Sequence, residues 1–131
     1  MRDAAYGLKA VHGARIIHSD LKSPNVLLVE ETRRPSGWKA LIGDFGWSQV
    51  VRSSKGALTP SKDRWGERWD GALDGPEQIA AQKLTSAADM YALGFVIWEL
   101  ATGLVPWSDS ETGVPLKAAQ IKTCTSQTLS D

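Results

Sequence analysis

Apolar positions divide this chain into a few short segments. Ala4, Leu8 and Val11 recur at helical spacing, so residues 3–12 predict a helix that stops at Gly13. Ile16-Ile17 is a short apolar patch. His18 to Asn25 is polar, contains Ser-Pro-Asn, and predicts a loop. Val26 to Val29 and Trp38 to Ile42 are β-type runs. The charged stretch Glu30 to Gly37 between them, with Pro35 and Gly37, predicts a turn. Together they form a small hairpin ended by Gly43. Ser86 to Thr102 predicts the longest helix, capped by Ser86 and stopped by Gly103. Apolar residues cover nearly all of its surface, which places it in a core.

The intervening segments carry less pattern. Residues 44–76 hold seven glycines and prolines and no sustained period, so they predict a long irregular segment. Such segments in compact domains are usually functional or disordered. Pro76 to Lys83 predicts a short helix with proline near its start. After Trp107 the chain turns polar, and within this tail, residues 108–131, Val114 to Ile121 predicts one weak helix. No internal repeat is visible. The fold class is α+β, mainly α, with a small β-hairpin.

Composition narrows the setting without choosing a function. The chain has 131 residues, enough for one modest domain. Hydrophobic residues make up 42% and charged residues 23%, with formal net charge zero. That balance asks for neither nucleic acid nor an anionic membrane as partner. The single cysteine, Cys124, forms no internal disulfide and suits a reducing compartment. Met1-Arg2-Asp3-Ala4-Ala5 lacks the apolar core of a signal peptide. The longest apolar run, Tyr91 to Trp98, is too short to span a bilayer. The expected setting is cytosol or nucleus.

Three features carry candidate chemistry: His18-Ser19-Asp20-Leu21-Lys22-Ser23-Pro24-Asn25, then Asp44-Phe45-Gly46 after a strand, then Gly75-Pro76-Glu77 before the helix bearing Asp89 and Gly94. Phosphoryl transfer needs positioning and charge compensation around an anionic group rather than covalent work by the protein. A carboxylate must orient a hydroxyl and accept its proton, hard oxygens must hold a divalent cation, and a lysine must offset charge. Asp20, Lys22, Asn25 and Asp44 supply that set. Each has a bland reading as well. Asp20, Asn25 and Asp44 are residue types that serve as solvated turn residues. Ser86-x-x-Asp89 fits a capping box.

The order and spacing of these motifs resemble the eukaryotic-type protein kinases over residues 1–107. Residues 18–25 resemble the His-Arg-Asp-Leu-Lys-x-x-Asn catalytic loop. Asp44-Phe45-Gly46 is similar to the metal-binding triplet, and Gly75-Pro76-Glu77 to Ala-Pro-Glu. Asp89 to Gly94 and Val96 to Gly103, followed by Pro106-Trp107, resemble the buried helix of the kinase C-lobe and its exit turn. Lys22-Ser23-Pro24-Asn25 looks most like the serine/threonine-specific kinases of the tyrosine-kinase-like group.

The resemblance implies a partial kinase domain over residues 1–131, a C-lobe without its N-lobe. Its cofactors would be ATP and Mg²⁺ and its substrate a protein serine or threonine. Asp20 would be the catalytic base and Lys22 would contact the γ-phosphate. Asn25 and Asp44 would hold Mg²⁺, and Leu27 would lie under the adenine. His18 and Phe45 would stack in a spine between lobes, and Asp89 would hold the catalytic loop from below. Residues 44–77 would be the activation segment, with Ser48, Ser53, Ser54, Thr59 and Ser61 as candidate phosphosites.

The chain also departs from the pattern. Ser19 stands where the family has an arginine that pairs with an activation-segment phosphate. Asp70 falls where a threonine hydroxyl is usual, and an acid there invites an ion pair with Lys22. A Gly-rich loop and a Val-Ala-x-Lys strand are absent, so phosphates would be held from one side and turnover by this chain is not expected. The alternative is a non-catalytic kinase-like module that binds a partner protein.

Overall fold

The computed structural model describes residues 1–52 and 84–108. The expected helices near residues 76–83 and 114–121, and every residue between 53 and 83, including Asp70 and the Gly75-Pro76-Glu77 triplet, lie outside them. The elements are α1 (Arg2–Gly13), β1 (Ile16–Ile17), β2 (Val26–Glu30), β3 (Trp38–Ile42), β4 (Gln49–Val50) and α2 (Ser86–Thr102). A single 3-10 turn, Ser23–Asn25, precedes β2. Helices of 12 and 17 residues dominate strands of two to five, so the described fold is α+β and mainly α. Among the described residues no helix is long and apolar enough to cross a membrane.

Among the described residues two antiparallel pairs make the β structure. β2 and β3 form the predicted hairpin, running from Val26 opposite Ile42 to Glu30 opposite Trp38. Gly37, at φ +70°, turns the connection back into β3, a conformation glycine adopts without a Cβ clash. β1 and β4 pair through Ile16 opposite Val50 and Ile17 opposite Gln49. This pairing adds to the sequence reading once and corrects it once. Ile16-Ile17 is a strand, and the segment expected to be irregular from residue 44 contains another. Two-residue strands carry too little alternation to register as a period.

The core forms where three elements meet. Ala4 and Leu8 of α1, Leu21 of the loop, and Ala92 and Leu93 of α2 are buried together, with Val26 and Ile42 packed against them. A second cluster joins Ile17, Val51, Leu84 and Ala88. Each fully buried leucine or isoleucine contributes on the order of 1.5–3 kcal/mol. The loop of residues 18–25 thus lies between two helices that are each fastened to it.

α2 spans the residues predicted, but its details differ. Its N-cap is Thr85, whose Oγ1 accepts from the Ala87 N–H at 3.2 Å, rather than Ser86. Its C-terminus follows prediction: Gly103 takes φ +70° and its N–H reaches the Glu99 carbonyl at 2.8 Å. The chain folds back there, setting Trp107 against Phe95 at 5.8 Å between ring centroids. The helix is not buried all round. One stripe, Ala88, Asp89, Ala92, Leu93 and Val96, is buried, while Met90, Ile97, Trp98 and Leu100 are exposed. α1 likewise continues through Gly13, and the left-handed residue beyond it is Arg15, at φ +59°.

Asp3 ties α1 to the hairpin. Its carboxylate accepts from Arg34 Nη1 at 2.6 Å and from the Ala40 N–H at 3.3 Å. The Arg34 hydrogen bond, outweighing partial burial, holds the Asp3 carboxyl below its ordinary value of 3.8. A lowered carboxyl stabilises the fold above that value and loses the contribution as pH falls through the folded-state value. Thermal unfolding should therefore show a steeper loss of Tm below about pH 4 in the native chain than in Asp3→Asn. Equal slopes would mean that this bond carries no proton-linked stability.

Candidate active site

Construction of the site begins with one buried carboxylate. Asp89, in the first turn of α2, is only 1% exposed. Its Oδ2 accepts from the His18 N–H and its Oδ1 from the Ser19 N–H, both at 2.8 Å. His12 Nε2, from the last turn of α1, donates to the same Oδ2 at 2.8 Å. The carboxylate therefore faces the loop rather than its own helix start, and the capping-box reading does not hold. Charge-assisted hydrogen bonds of this kind are roughly twice as strong as neutral ones.

Ser19 sits under strain. It adopts φ +67°, is 3% exposed, and among the described residues its Oγ has no hydrogen-bond partner. Among the described non-glycine residues, positive φ also occurs at Arg15, Asp44 and Trp107. Two of these four, Ser19 and Asp44, belong to the predicted motifs. Strain of this kind persists where surrounding bonds over-determine the backbone, as Asp89 does at Ser19.

His18 connects the loop to the triplet. Its Nε2–H donates to the Gly43 carbonyl at 2.9 Å, and its Nδ1 accepts from the Asp20 N–H at 3.3 Å. One neutral tautomer satisfies both bonds. The His18 and Phe45 rings contact at 4.9 Å between centroids, tilted by 59° rather than parallel. Gly43 in turn donates its N–H to the Asn25 carbonyl at 2.8 Å. A Cβ at Gly43 would lie 2.9 Å from Leu27 Cδ1, the tip of an exposed side chain that would have to move aside.

Asp20, Lys22 and Asn25 converge on this frame. Asn25 Nδ2 donates to the Asp20 carbonyl at 2.8 Å and to Asp20 Oδ2 at 3.2 Å. Lys22 Nζ pairs with the same Oδ2 at 3.3 Å. Asp20 and Asn25 are buried and Lys22 is half-buried. Asp44 is exposed, and its Oδ1 accepts from the Gly46 N–H at 3.2 Å. The structure thus joins Asp20, Lys22 and Asn25 side chain to side chain, and brings Asp44 to them through the Gly43 backbone. Leu27 lies one residue into β2, 52% exposed, with its tip on Gly43.

The donor chemistry fits a hard cation. Asn25 commits its amide nitrogen to Asp20, which leaves the amide oxygen for a metal. Asp44 uses one oxygen on Gly46, which leaves the other. Among the described residues no group of three or more His, Cys, Asp or Glu could hold a metal ion. Two protein oxygens, with phosphates and water completing the shell, match how Mg²⁺ is usually bound.

Four contributors were not anticipated: His12, Ser23, Gly43 and Glu99. Ser23 Oγ donates to Glu99 Oε2 at 2.6 Å. A signal existed for two of them. His12 follows Leu8 by one turn, and Glu99 continues the buried stripe of α2, so both place polar groups where the period asks for apolar ones. Ser48 makes only a local turn, its Oγ donating to the Phe45 carbonyl at 2.7 Å.

Comparison with known proteins identifies the family. The sequence profile of the protein kinase domain matches residues 1–129. The chain belongs to the protein kinase family. It is 35% identical over 109 residues to the probable serine/threonine-protein kinase drkB of Dictyostelium discoideum, covering 82% of this chain and 14% of that protein. It is 34% identical over 120 residues to the serine/threonine/tyrosine-protein kinase HT1 of Arabidopsis thaliana, covering 89% and 26%. It is 34% identical over 113 residues to the serine/threonine-protein kinase pkn3 of Myxococcus xanthus, covering 84% and 20%. The chain therefore spans about a quarter or less of each of these relatives. The family implies ATP and typically Mg²⁺.

Removing the Asp89 carboxylate should be costly, because each buried N–H left unpaired costs about 1–3 kcal/mol. Asp89→Ala should lose about 3 kcal/mol or more in urea unfolding, or fail to fold. Asp89→Asn, which keeps one acceptor, should lose less. A loss under about 1 kcal/mol for the alanine variant would show that the loop does not depend on this group. The opposite sign is expected at Ser19. Ser19→Gly relieves a left-handed residue and removes an unpartnered hydroxyl, and should gain about 1 kcal/mol after glycine's entropy cost. Ser19→Ala removes the hydroxyl alone and should gain less; a lower Tm for the glycine variant would contradict the strain.

Proposed function

We propose that this chain is the C-lobe part of a serine/threonine kinase domain, with residues 18–25 as its catalytic loop. The observation that supports it best is the single buried frame on which Asp20, Lys22 and Asn25 meet, closed onto Asp44-Phe45-Gly46 through Gly43. Lys22-Ser23-Pro24-Asn25 favours the tyrosine-kinase-like group. Residues 44–77 are the activation segment in this reading, and a protein serine or threonine is the substrate.

In this reading Asp20 would accept the proton of the substrate hydroxyl as that oxygen bonds to the γ-phosphorus of ATP and the bond from phosphorus to the β–γ bridging oxygen breaks, releasing ADP. Its carboxylate is oriented by Asn25 Nδ2 and by Lys22, so little reorganisation accompanies the transfer. Lys22 meets the charge of the transferred group. Asn25 and Asp44 would hold Mg²⁺, which would offset phosphate charge when bound. Leu27 offers an apolar contact to the adenine. Ser19 cannot bind a phosphate bidentately as an arginine does, so this loop does not read an activation-segment phosphate through that position.

Metal binding tests the assignment without requiring turnover. Titration of ¹⁵N-labelled chain with Mn²⁺, in the presence of ATP, should broaden the Asn25 and Asp44 amides first. Asp44→Asn should abolish that pattern and Asn25→Ala should weaken it at least tenfold in Mn²⁺ concentration. Broadening elsewhere, indifferent to Asp44→Asn, would refute the site. Phosphotransfer to a serine peptide that disappears in Asp20→Asn would make the chain an enzyme by itself. Metal binding without turnover would favour a binding module.

A further inference from the structure

The α2 helix reaches the loop at two places. Its buried stripe runs Ala88, Asp89, Ala92, Leu93 and Val96. At about 100° per residue, Glu99 falls between Ala88 and Ala92 on the helix circumference, within that stripe. Both acids on the stripe point at the same loop. Asp89 binds its start, at His18 and Ser19, and Glu99 binds Ser23 Oγ at 2.6 Å. Ten residues of helix rise about 15 Å. Four residues, from Ser19 to Ser23, span at most about 13–14 Å. Lys22 is extended, at φ −154° and ψ 163°. The two anchors hold the loop at its start and at the turn that closes it.

We infer that Glu99 is a second positioning residue, which holds the 3-10 turn that presents Lys22 and Asn25. The inference rests on the kinase reading for the role of those two side chains. Ser23 opens the turn, Pro24 follows with its fixed φ, and Asn25 closes it. Lys22 precedes the turn as its N-cap, without a side-chain cap of its own. The turn is short, and such turns have poorer hydrogen-bond geometry than an α-helix. Its backbone bonds are Asn25 N–H to the Lys22 carbonyl at 2.9 Å and Val26 N–H to the Ser23 carbonyl. An external tether therefore decides whether it stays closed. The 2.6 Å separation is that of a charge-assisted O–H···O⁻ bond. Glu99 is half-buried, so the bond is less competed by water than a surface pair. Glu99 does not touch the reacting groups; it acts through Ser23.

Amide hydrogen exchange on the full chain tests this, with Asn25, Val26 and Gly43 as reporters and the α1 amides as the reference. Ser23→Ala and Glu99→Ala should each speed exchange at the three reporters tenfold or more, relative to α1. The double variant should exchange no faster than either single one, because both remove the same bond. Glu99→Gln retains an acceptor and should stay within threefold of the native rates. Each alanine variant should also need at least fivefold more Mn²⁺ to broaden Asn25, and the glutamine variant should not. If Glu99→Ala fails to fold, Ser23→Ala supplies the same readout with the helix untouched. Unchanged reporter exchange in Ser23→Ala overturns the anchor, as does a double variant whose effect multiplies the two singles. A native chain that gives no Mn²⁺ broadening, with exchange changed as expected, refutes the metal site and retains the anchor. Native broadening with unchanged exchange does the reverse.

Discussion

Everything at the centre of this chain depends on one charge kept out of water. The Asp89 carboxylate is nearly inaccessible, and a buried carboxylate is tolerable only when hydrogen bonds replace its hydration. Two backbone N–H groups and an imidazole do so. The dependence runs both ways. The carboxylate needs the loop to stay solvated by protein, and the loop needs the carboxylate to hold Ser19 in a backbone region that serine disfavours. Since His12 also joins in, α1, the loop and α2 are committed to a single mutual arrangement.

From that point the order propagates through backbone groups rather than through side-chain charge. His18, fixed by its own N–H, uses its ring to bridge the Asp20 amide and the Gly43 carbonyl. Gly43 passes the connection to Asn25, and Phe45 leans on the His18 ring. The result is a polar centre whose members are largely satisfied by fixed groups. Such networks specify geometry strongly, because each partly satisfied alternative exposes a buried polar atom.

How much of this the sequence disclosed follows from what a linear pattern can carry. The hairpin and α2 were legible because five-residue strands and a 17-residue helix give enough repeats for a period to show. β1 and β4 were not, since two residues define no period and their pairing is non-local. The motif residues Asp20, Lys22, Asn25 and Asp44 were visible through order and spacing. Their linkage was not: Gly43 acts through its backbone, and His12 and Ser23 through partners more than seventy residues away in sequence. The helix cap lies one residue before the position the sequence predicts, because Thr85 and Ser86 both offer a capping hydroxyl and only backbone geometry separates them. The expectation of an all-round buried α2 failed because apolar composition does not say how much of a helix the described neighbours cover.

The spacing of Asp89 and Glu99 has a consequence for how such a chain can change over time. A helix that touches a loop at two points is a ruler, and its unit is the whole residue. Substitution at Met90, Ile97 or Leu100 alters surface and leaves the ruler intact. Insertion or deletion of one residue between the two acids rotates one contact by about 100° relative to the other and shifts it by about 1.5 Å. Neither acid can then be rescued by adjusting its neighbours. The two contacts therefore constrain the number of residues between the acids, independent of which residues they are.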